Sequence, residues 1–320
     1  MHRGISVVTG GLGYIGQSIA REISARGGRP VIIDRRAIRP QVQGIPVIQG
    51  DIRDPEVWRQ FQGQDVRAIF HCAGLIQVGE SVMEPARYFD DNIVAGLGML
   101  NHLRDFLGSV PIIFSSSAAV YGTPEKAPIG EEAPLRPESP YGVTKKQFEE
   151  ILAAYHAAYG LPYVALRYFN AAGTDGVVRE NHDPETHLLP RVARFLATGE
   201  PPVIYGDDYP TRDGTAVRDY IHIVDLVSAH LAALEYLAEG GEPTVINLGS
   251  GRGMSVGEMV QAFRAVVEDM PEPRVVGRRA GDPPVLVASI AKAQRLLAWR
   301  PQHSDPERLV REAWQGALSR

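Results

Sequence analysis

Cysteine is nearly missing from this sequence of 320 residues: Cys72 stands alone, which excludes a disulfide within the chain and any thiolate-based metal cluster. Such usage fits a reducing compartment, and a cytoplasmic protein is expected. Long apolar runs are missing too. The first apolar stretch, Ile5-Ser6-Val7-Val8-Thr9-Gly10, goes straight into a glycine turn. It is too short for a secretory leader and far short of the roughly 20 apolar residues of a membrane span, so neither is expected. A surplus of positive charge is also lacking. The net charge of −5 gives no general reason to expect nucleic acid, and an anionic ligand must be met by local groups. His2, His71, His102, His156, His182, His187, His222, His230 and His303 are scattered without zinc-like spacing, so no metal is expected. No internal repeat or low-complexity segment is present.

What remains is an ordinary globular composition, 44% hydrophobic and 22% charged. Short apolar runs at Ser6–Val8, Pro30–Ile33, Ile45–Gln49, Ala68–His71, Pro111–Ser115 and Tyr163–Arg167 read as buried strands. Segments of helical period lie between them: Ile15–Ala25, Pro55–Gln60, Tyr88–Leu107 and Tyr141–Tyr159. Repeated strand–helix units predict an α/β fold, a Rossmann-type doubly wound parallel sheet. After Arg167 the pattern loosens: Ala171–Thr186 and Gly206–Gly214 read as loops, Thr244–Leu248 as a strand, Val256–Val267 and Ile290–Leu297 as helices. The expected division is a dinucleotide-binding domain of residues 1–168 and 212–248, with a smaller mixed α/β substrate domain of 169–211 and 249–320.

Thr9-Gly10-Gly11-Leu12-Gly13-Tyr14-Ile15-Gly16 follows the first strand and opens the first helix. Gly10, Gly13 and Gly16 permit a tight turn, close approach of a pyrophosphate and close helix–strand packing. Asp34 closes the second strand where an adenosine ribose would sit, which favours NAD, because a carboxylate accepts from a ribose hydroxyl and repels a 2′-phosphate. Arg35 and Arg36 follow directly, either as solvated charges or as groups tolerating that phosphate.

Tyr141-Gly142-Val143-Thr144-Lys145 puts a phenol and an ammonium on one helical face, one turn apart. Such a pair also occurs on ordinary amphipathic helices. Here it lies downstream of a strand ending in Ser115-Ser116-Ser117, the end at which a doubly wound sheet binds ligands. A phenol with a pKa near 10 is a poor base at neutral pH; a nearby ammonium and a positive nicotinamide ring would favour the phenolate. Ser117 would relay the proton of a sugar hydroxyl.

With these motifs the chain resembles the UDP-glucose 4-epimerases of the extended short-chain dehydrogenase/reductase superfamily. The resemblance runs nearly end to end, through Gly50-Asp51-Ile52-Arg53-Asp54, His71-Cys72-Ala73-Gly74, Val78-Gly79-Glu80-Ser81, Ser115-Ser116-Ser117-Ala118-Ala119-Val120-Tyr121-Gly122 and Arg167-Tyr168-Phe169-Asn170. It continues in His187-Leu188-Leu189-Pro190, Asp208-Tyr209-Pro210-Thr211, Val217-Arg218-Asp219-Tyr220-Ile221-His222 and Arg278-Arg279-Ala280-Gly281-Asp282. It implies an isomerase that interconverts UDP-galactose and UDP-glucose by transient NAD-dependent oxidation at C4, with Tyr141, Lys145 and Ser117 catalytic. The implied NAD contacts are Gly10, Gly13, Ile15, Gly16, Asp34, Asp51, Ile52, Cys72, Ala73, Gly74, Asn92, Ser115, Tyr141, Lys145 and Tyr168. Those to the UDP-sugar are Ser117, Tyr141, Asn170, His187, Leu188, Tyr205, Arg218, Arg279, Asp282 and Leu286. Arg218 and Arg279 would grip the diphosphate and Asp282 the uridine ribose; the plainer alternatives are surface ion pairs for the arginines and a core or capping role for His187.

The family commonly forms homodimers, which would place helices Tyr88–Leu107 and Tyr141–Tyr159 at the contact, with Gly96, Gly98, Ala153, Ala154, Ala157 and Ala158 as small residues. Several positions depart from the family pattern. Ile76 stands where a lysine often reaches the pyrophosphate, and Ala119 where some relatives carry threonine. Ala118-Ala119 also lacks the Asp-Glu pair of the 4,6-dehydratases. Leu286 is intermediate between a bulky tyrosine and a small residue, leaving open UDP-N-acetylhexosamine or UDP-pentose 4-epimerisation. A non-catalytic NAD-sensing protein is a remote alternative, against which the retained Tyr141, Lys145 and Ser117 argue.

Overall fold

The computed structural model describes residues 4–180, 185, 187–279 and 282–318. His2, His182, most of the expected loop tip at 181–186, and Ala280-Gly281 of the Arg278–Asp282 motif lie outside them. In chain order the first half holds β1 (Ile5–Thr9), α1 (Tyr14–Ala25), β2 (Arg29–Asp34), β3 (Val47–Gln49), α2 (Pro55–Arg59), β4 (Val66–His71), α3 (Val78–Met83), α4 (Pro85–Phe89), α5 (Ala95–Phe106), β5 (Ile112–Ser117), α6 (Pro140–Tyr159) and β6 (Tyr163–Tyr168). The second half holds β7 (Asn170–Ala172), α7 (Leu188–Ala197), β8 (Val203–Tyr205), β9 (Val217–His222), α8 (Ile223–Ala238), β10 (Thr244–Leu248), β11 (Gly253–Ser255), α9 (Val256–Phe263), β12 (Arg274–Val276), β13 (Val285–Leu286), α10 (Ala291–Leu297) and α11 (Pro306–Leu318).

Seven parallel strands form one sheet in the order β10-β6-β5-β4-β1-β2-β3. The order reverses between β1 and β4, and that switch point opens a crevice at the carboxyl ends of the strands. Every residue of β1 and β6 is buried, as strands covered by helices on both faces must be. A second sheet centres on β9, which pairs with β7 and β13 in parallel and with β11 in antiparallel. Beneath it α7, α9 and α11 share a core of Leu189, Val192, Met259, Phe263, Leu309 and Val310.

The structure departs from the sequence reading in identifiable places. The expected helix Tyr88–Leu107 is α4, a π-helical turn over Asp90–Val94, and then α5. The wide turn lies where buried Asn92 holds Leu75 and Thr144, and such turns often mark functional regions. Helix α8 was not anticipated, because it is buried on several sides and carries no polar stripe to betray its period. The amphipathic helices α7 and α11 were not anticipated either, although both carry that signal. Among the described residues, no helix is long and apolar enough to cross a membrane.

Candidate active site

A cleft of about 1200 Å³ runs along the carboxyl ends of the strands and across to the second sheet. All the site residues named from the sequence line it except Asn92. Asn92 lies just behind the lining: its amide accepts from Leu75 N at 2.7 Å and donates to Leu75 O and Thr144 Oγ1, which ties the loop after β4 to α6.

The glycine turn is sterically fixed at two of its positions. A Cβ on Gly10 (φ +64°) would lie 2.6 Å from the Ala73 backbone, and one on Gly16 would lie 2.7 Å from Gly10 O. Gly13 is the N-cap of α1 and supplies no side chain, so the first-turn N–H groups stay open for phosphate. Asp34 accepts from Leu12 N at 3.0 Å and from Arg36, whose Nε and terminal nitrogen each lie 2.9 Å from it. Burial works against the Asp34 charge, but Arg36 holds the carboxyl below its ordinary value. Arg35 grips Asp91 through two bonds of 2.6 and 2.7 Å. Both arginines are thus committed to carboxylates, which weakens the case for either as a 2′-phosphate seat. Asp51 is similarly held by Arg53. The donor set fits NAD: an open helix end for the pyrophosphate and an ionised Asp34 at the ribose position.

The wall that carries Tyr141 and Lys145 is set by α6. Ser139 caps it by accepting from Gly142 N at 3.2 Å, Pro140 opens it, and Gly160 closes it in the left-handed conformation. Tyr141 and Lys145 are both buried. Ser117 Oγ accepts from Ala119 N at 3.1 Å, which leaves its own proton to give to the Tyr141 phenol. A role the sequence reading missed falls to Gly142: a Cβ there would come within 2.5 Å of Ala119 O, so glycine lets α6 close on the end of β5. Its position beside Tyr141 was the available signal.

The expected acidification of Tyr141 joins Lys145 to a positive nicotinamide ring; the protein's own groups, taken without that ring, do not lower the phenol. Burial pushes the phenol up, and the hydrogen bond from Ser117 only partly opposes it. Lys145 donates to Ser115 O at 2.9 Å, its Nζ is 5.8 Å from the Tyr141 ring centre, and burial pulls it down to about 8. Cys72 is a packing residue by the same logic, since burial lifts its thiol to about 11. Tyr168 bonds to Ser115 Oγ at 2.8 Å and to His230 Nε2. His230 donates through Nδ1 to Leu226 O at 2.8 Å, and burial holds its pKa down to about 4, so the ring is neutral.

The opposite wall carries charge. Arg218 bonds to Asp282 at 2.5 Å, and Arg279 stacks on Tyr205 with its guanidinium carbon 3.9 Å from the ring centre. The Arg218 pair is largely shielded from water on the arginine side, whereas Arg279 is exposed and rests on the aromatic ring. Asn170 donates to Asp219 O at 2.9 Å. His187 stands at the N-cap of α7 with Nδ1 2.5 Å from Glu180. Burial disfavours its charge, but Glu180 and Glu185 override this and raise it to about 10. These three are the group among the described residues able to hold a metal ion, their ligand atoms lying within 4.8 Å of one another. Here the imidazolium itself supplies the positive charge between the carboxylates. Leu188 and Leu286 line the cleft beside them.

The chain is 42% identical to the UDP-glucose 4-epimerase of Lacticaseibacillus casei over 317 residues, spanning 96% of this chain and 95% of the relative. Among solved structures, UDP-glucose 4-epimerase from Brucella ovis in complex with NAD superposes with a TM-score of 0.93 at 41% identity, covering 98% of each chain. The UDP-glucose-4-epimerase from Stenotrophomonas maltophila with bound NAD and formylated UDP-arabinopyranose gives 0.93 at 36% identity, covering 99% of this chain and 98% of that one. Residues 6–249 match the model of the NAD dependent epimerase/dehydratase family. That stretch takes in the glycine turn, Asp34, Ser117, Tyr141 and Lys145, and on this agreement of fold, site and sequence the chain belongs to the NAD dependent epimerase/dehydratase family.

Proposed function

We propose that the protein interconverts UDP-galactose and UDP-glucose by transient oxidation of the hexose at C4. The observation that carries this is the pairing of walls: a buried Tyr141–Ser117 hydrogen bond on one side of the cleft and the cations Arg218 and Arg279 on the other. Tyr141 takes the proton of the sugar 4-hydroxyl, with Ser117 relaying it. NAD bound along Gly10–Gly16, Asp34 and Asp51 supplies the acceptor and later the donor of hydride. Lys145, fixed on Ser115 O, holds positive charge behind the phenol. Arg218, Arg279 and Asp282 hold the UDP. The binding energy therefore sits on the nucleotide and leaves the 4-keto sugar loose enough to present its other face.

The test is incubation of the purified protein with UDP-galactose, with and without added NAD, and measurement of UDP-glucose formed. Absence of turnover in both arms overturns the reading. The exposed Ile76, standing where a lysine is common, predicts that added NAD raises the rate.

A second substrate class rests on Leu286. It lines the cleft in β13, in register with Arg218, and is smaller than a tyrosine. UDP-N-acetylgalactosamine is then turned over as well, and Leu286→Tyr removes that activity while sparing UDP-galactose. Tandem assays of both substrates on both proteins check this. UDP-arabinose in the same assay covers the pentose alternative.

The division into 1–168 with 212–248, and 169–211 with 249–320, is supported by the seven-stranded sheet, although β9 belongs by its pairing to the smaller sheet. A homodimer is supported by the exposed Ala153, Ala154, Ala157 and Ala158 on α6. Gly96 is instead used within the chain, where a Cβ would meet Phe148 at 2.3 Å. A single free cysteine supports a cytoplasmic setting.

A further inference from the structure

We propose that Arg191 acts with Arg279 to read the diphosphate of the nucleotide sugar, making it a specificity residue of the proposed reaction. The inference rests on the UDP-sugar reading above. Arg191 lies in the first turns of α7 and lines the cleft. Its guanidinium donates to the Tyr205 hydroxyl at 3.2 Å and lies 5.6 Å from that ring's centre. Arg279 sits on the same ring at 3.9 Å. Two guanidinium groups thus converge on one tyrosine.

The other cations on this wall are answered and these two are not. Arg218 is paired with Asp282 at 2.5 Å, and His187 with Glu180 at 2.5 Å. Among the described residues, neither Arg191 nor Arg279 has a carboxylate partner. The two unanswered charges match the roughly two negative charges of a diphosphate diester at neutral pH, in a chain whose net charge of −5 provides no basic field of its own. Helix α7 adds to the positive potential, since its first turn carries no acidic residue and no side-chain cap. The Tyr205 phenol registers this field: Arg191 first, then Arg279, holds it below its ordinary value against slight burial. The competing role for Arg191 is purely structural, a cation stacked between Tyr205 and Phe195, the latter 5.7 Å away.

Calorimetric titration of the NAD-loaded protein with UDP, UMP and uridine separates the two. Arg191→Met is expected to weaken UDP binding by about tenfold to a hundredfold, UMP by less, and uridine not at all. The KM for UDP-galactose rises in parallel, and UDP affinity falls less steeply with added salt. Arg191→Lys restores part of the UDP affinity, as a point charge in place of a fork. It also keeps the test in force should Arg191→Met unfold at lower temperature than the parent. An equal loss for all three ligands, or no loss for UDP, overturns the inference while leaving the epimerase reading intact. Failure of the unaltered protein to bind UDP overturns both.

Discussion

Along the dinucleotide wall of the cleft, Lys145, Ser115, Tyr168 and His230 are buried and joined by short hydrogen bonds beside the buried Tyr141, with glycines at 10, 16 and 142 admitting backbone contacts that no side chain would allow. Across from it, Arg191, Arg218, Arg279 and His187 stand on short strands, a helix end and loops, and interact through charge. The first wall must hold reacting atoms to fractions of an ångström, so it is made by close packing of regular elements. The second must retain a nucleotide while its sugar turns, so longer-range charge suits it better than tight fit. The contrast also explains where the pKa shifts come from: burial dominates at Tyr141, Lys145 and His230, whereas ionic neighbours set those of His187 and Tyr205.

Changes on the packed wall should cost rate. Tyr141→Phe removes the proton acceptor and is expected to lower kcat by about 10² to 10⁴ with bound NAD unchanged, measured by turnover and by cofactor released on denaturation. Gly142→Ala is the next largest. Its Cβ would lie 2.5 Å from Ala119 O, so α6 must retreat from β5 and draw Tyr141 away from Ser117. A fall in kcat on the order of 10²-fold and a loss of about 1–3 kcal/mol in stability are expected, read by kinetics and by urea unfolding. A Gly142→Ala protein with full activity would show that the packed wall is more forgiving than its contacts suggest.

The charged wall should answer instead to pH. His187 is raised from 6.5 to about 10 in the folded protein, so its contact with Glu180 contributes fully below about pH 6.5. That contribution fades as pH rises toward about 10, because the folded imidazolium keeps its proton longer than the unfolded one. His187 is partly open to water, which makes this the smallest of the effects. Urea midpoints of the parent should fall relative to His187→Gln across that window, and parallel curves would remove the ion pair from the account.

Much of the first wall was legible in order along the chain. The glycine turn after β1, Asp34 at the end of β2, and Tyr141 with Lys145 one turn apart are local patterns, and local patterns survive in sequence. The second wall was legible only where a motif could be matched, as at Arg218 and Arg279. Arg191 and Glu180 had no such signal, lying outside the matched motifs, and the pairing of Arg218 with Asp282 joins residues 64 apart in the chain. Asn92 was placed near the cofactor by resemblance; the fold sets it on a π-helical turn that no periodicity announces, bonded to Leu75 and Thr144.

By itself, then, the order of residues determined the doubly wound sheet, the phosphate-binding turn and the spacing of the phenol and ammonium, because each follows from backbone sterics and hydrophobic period within a few residues. Only the tertiary structure decided which charges are neutralised, that Lys145 lies against Ser115 O rather than on the phenol, and that burial raises Tyr141 above its ordinary value. Those outcomes depend on desolvation and on distances between elements far apart in the chain, quantities that a linear pattern does not contain.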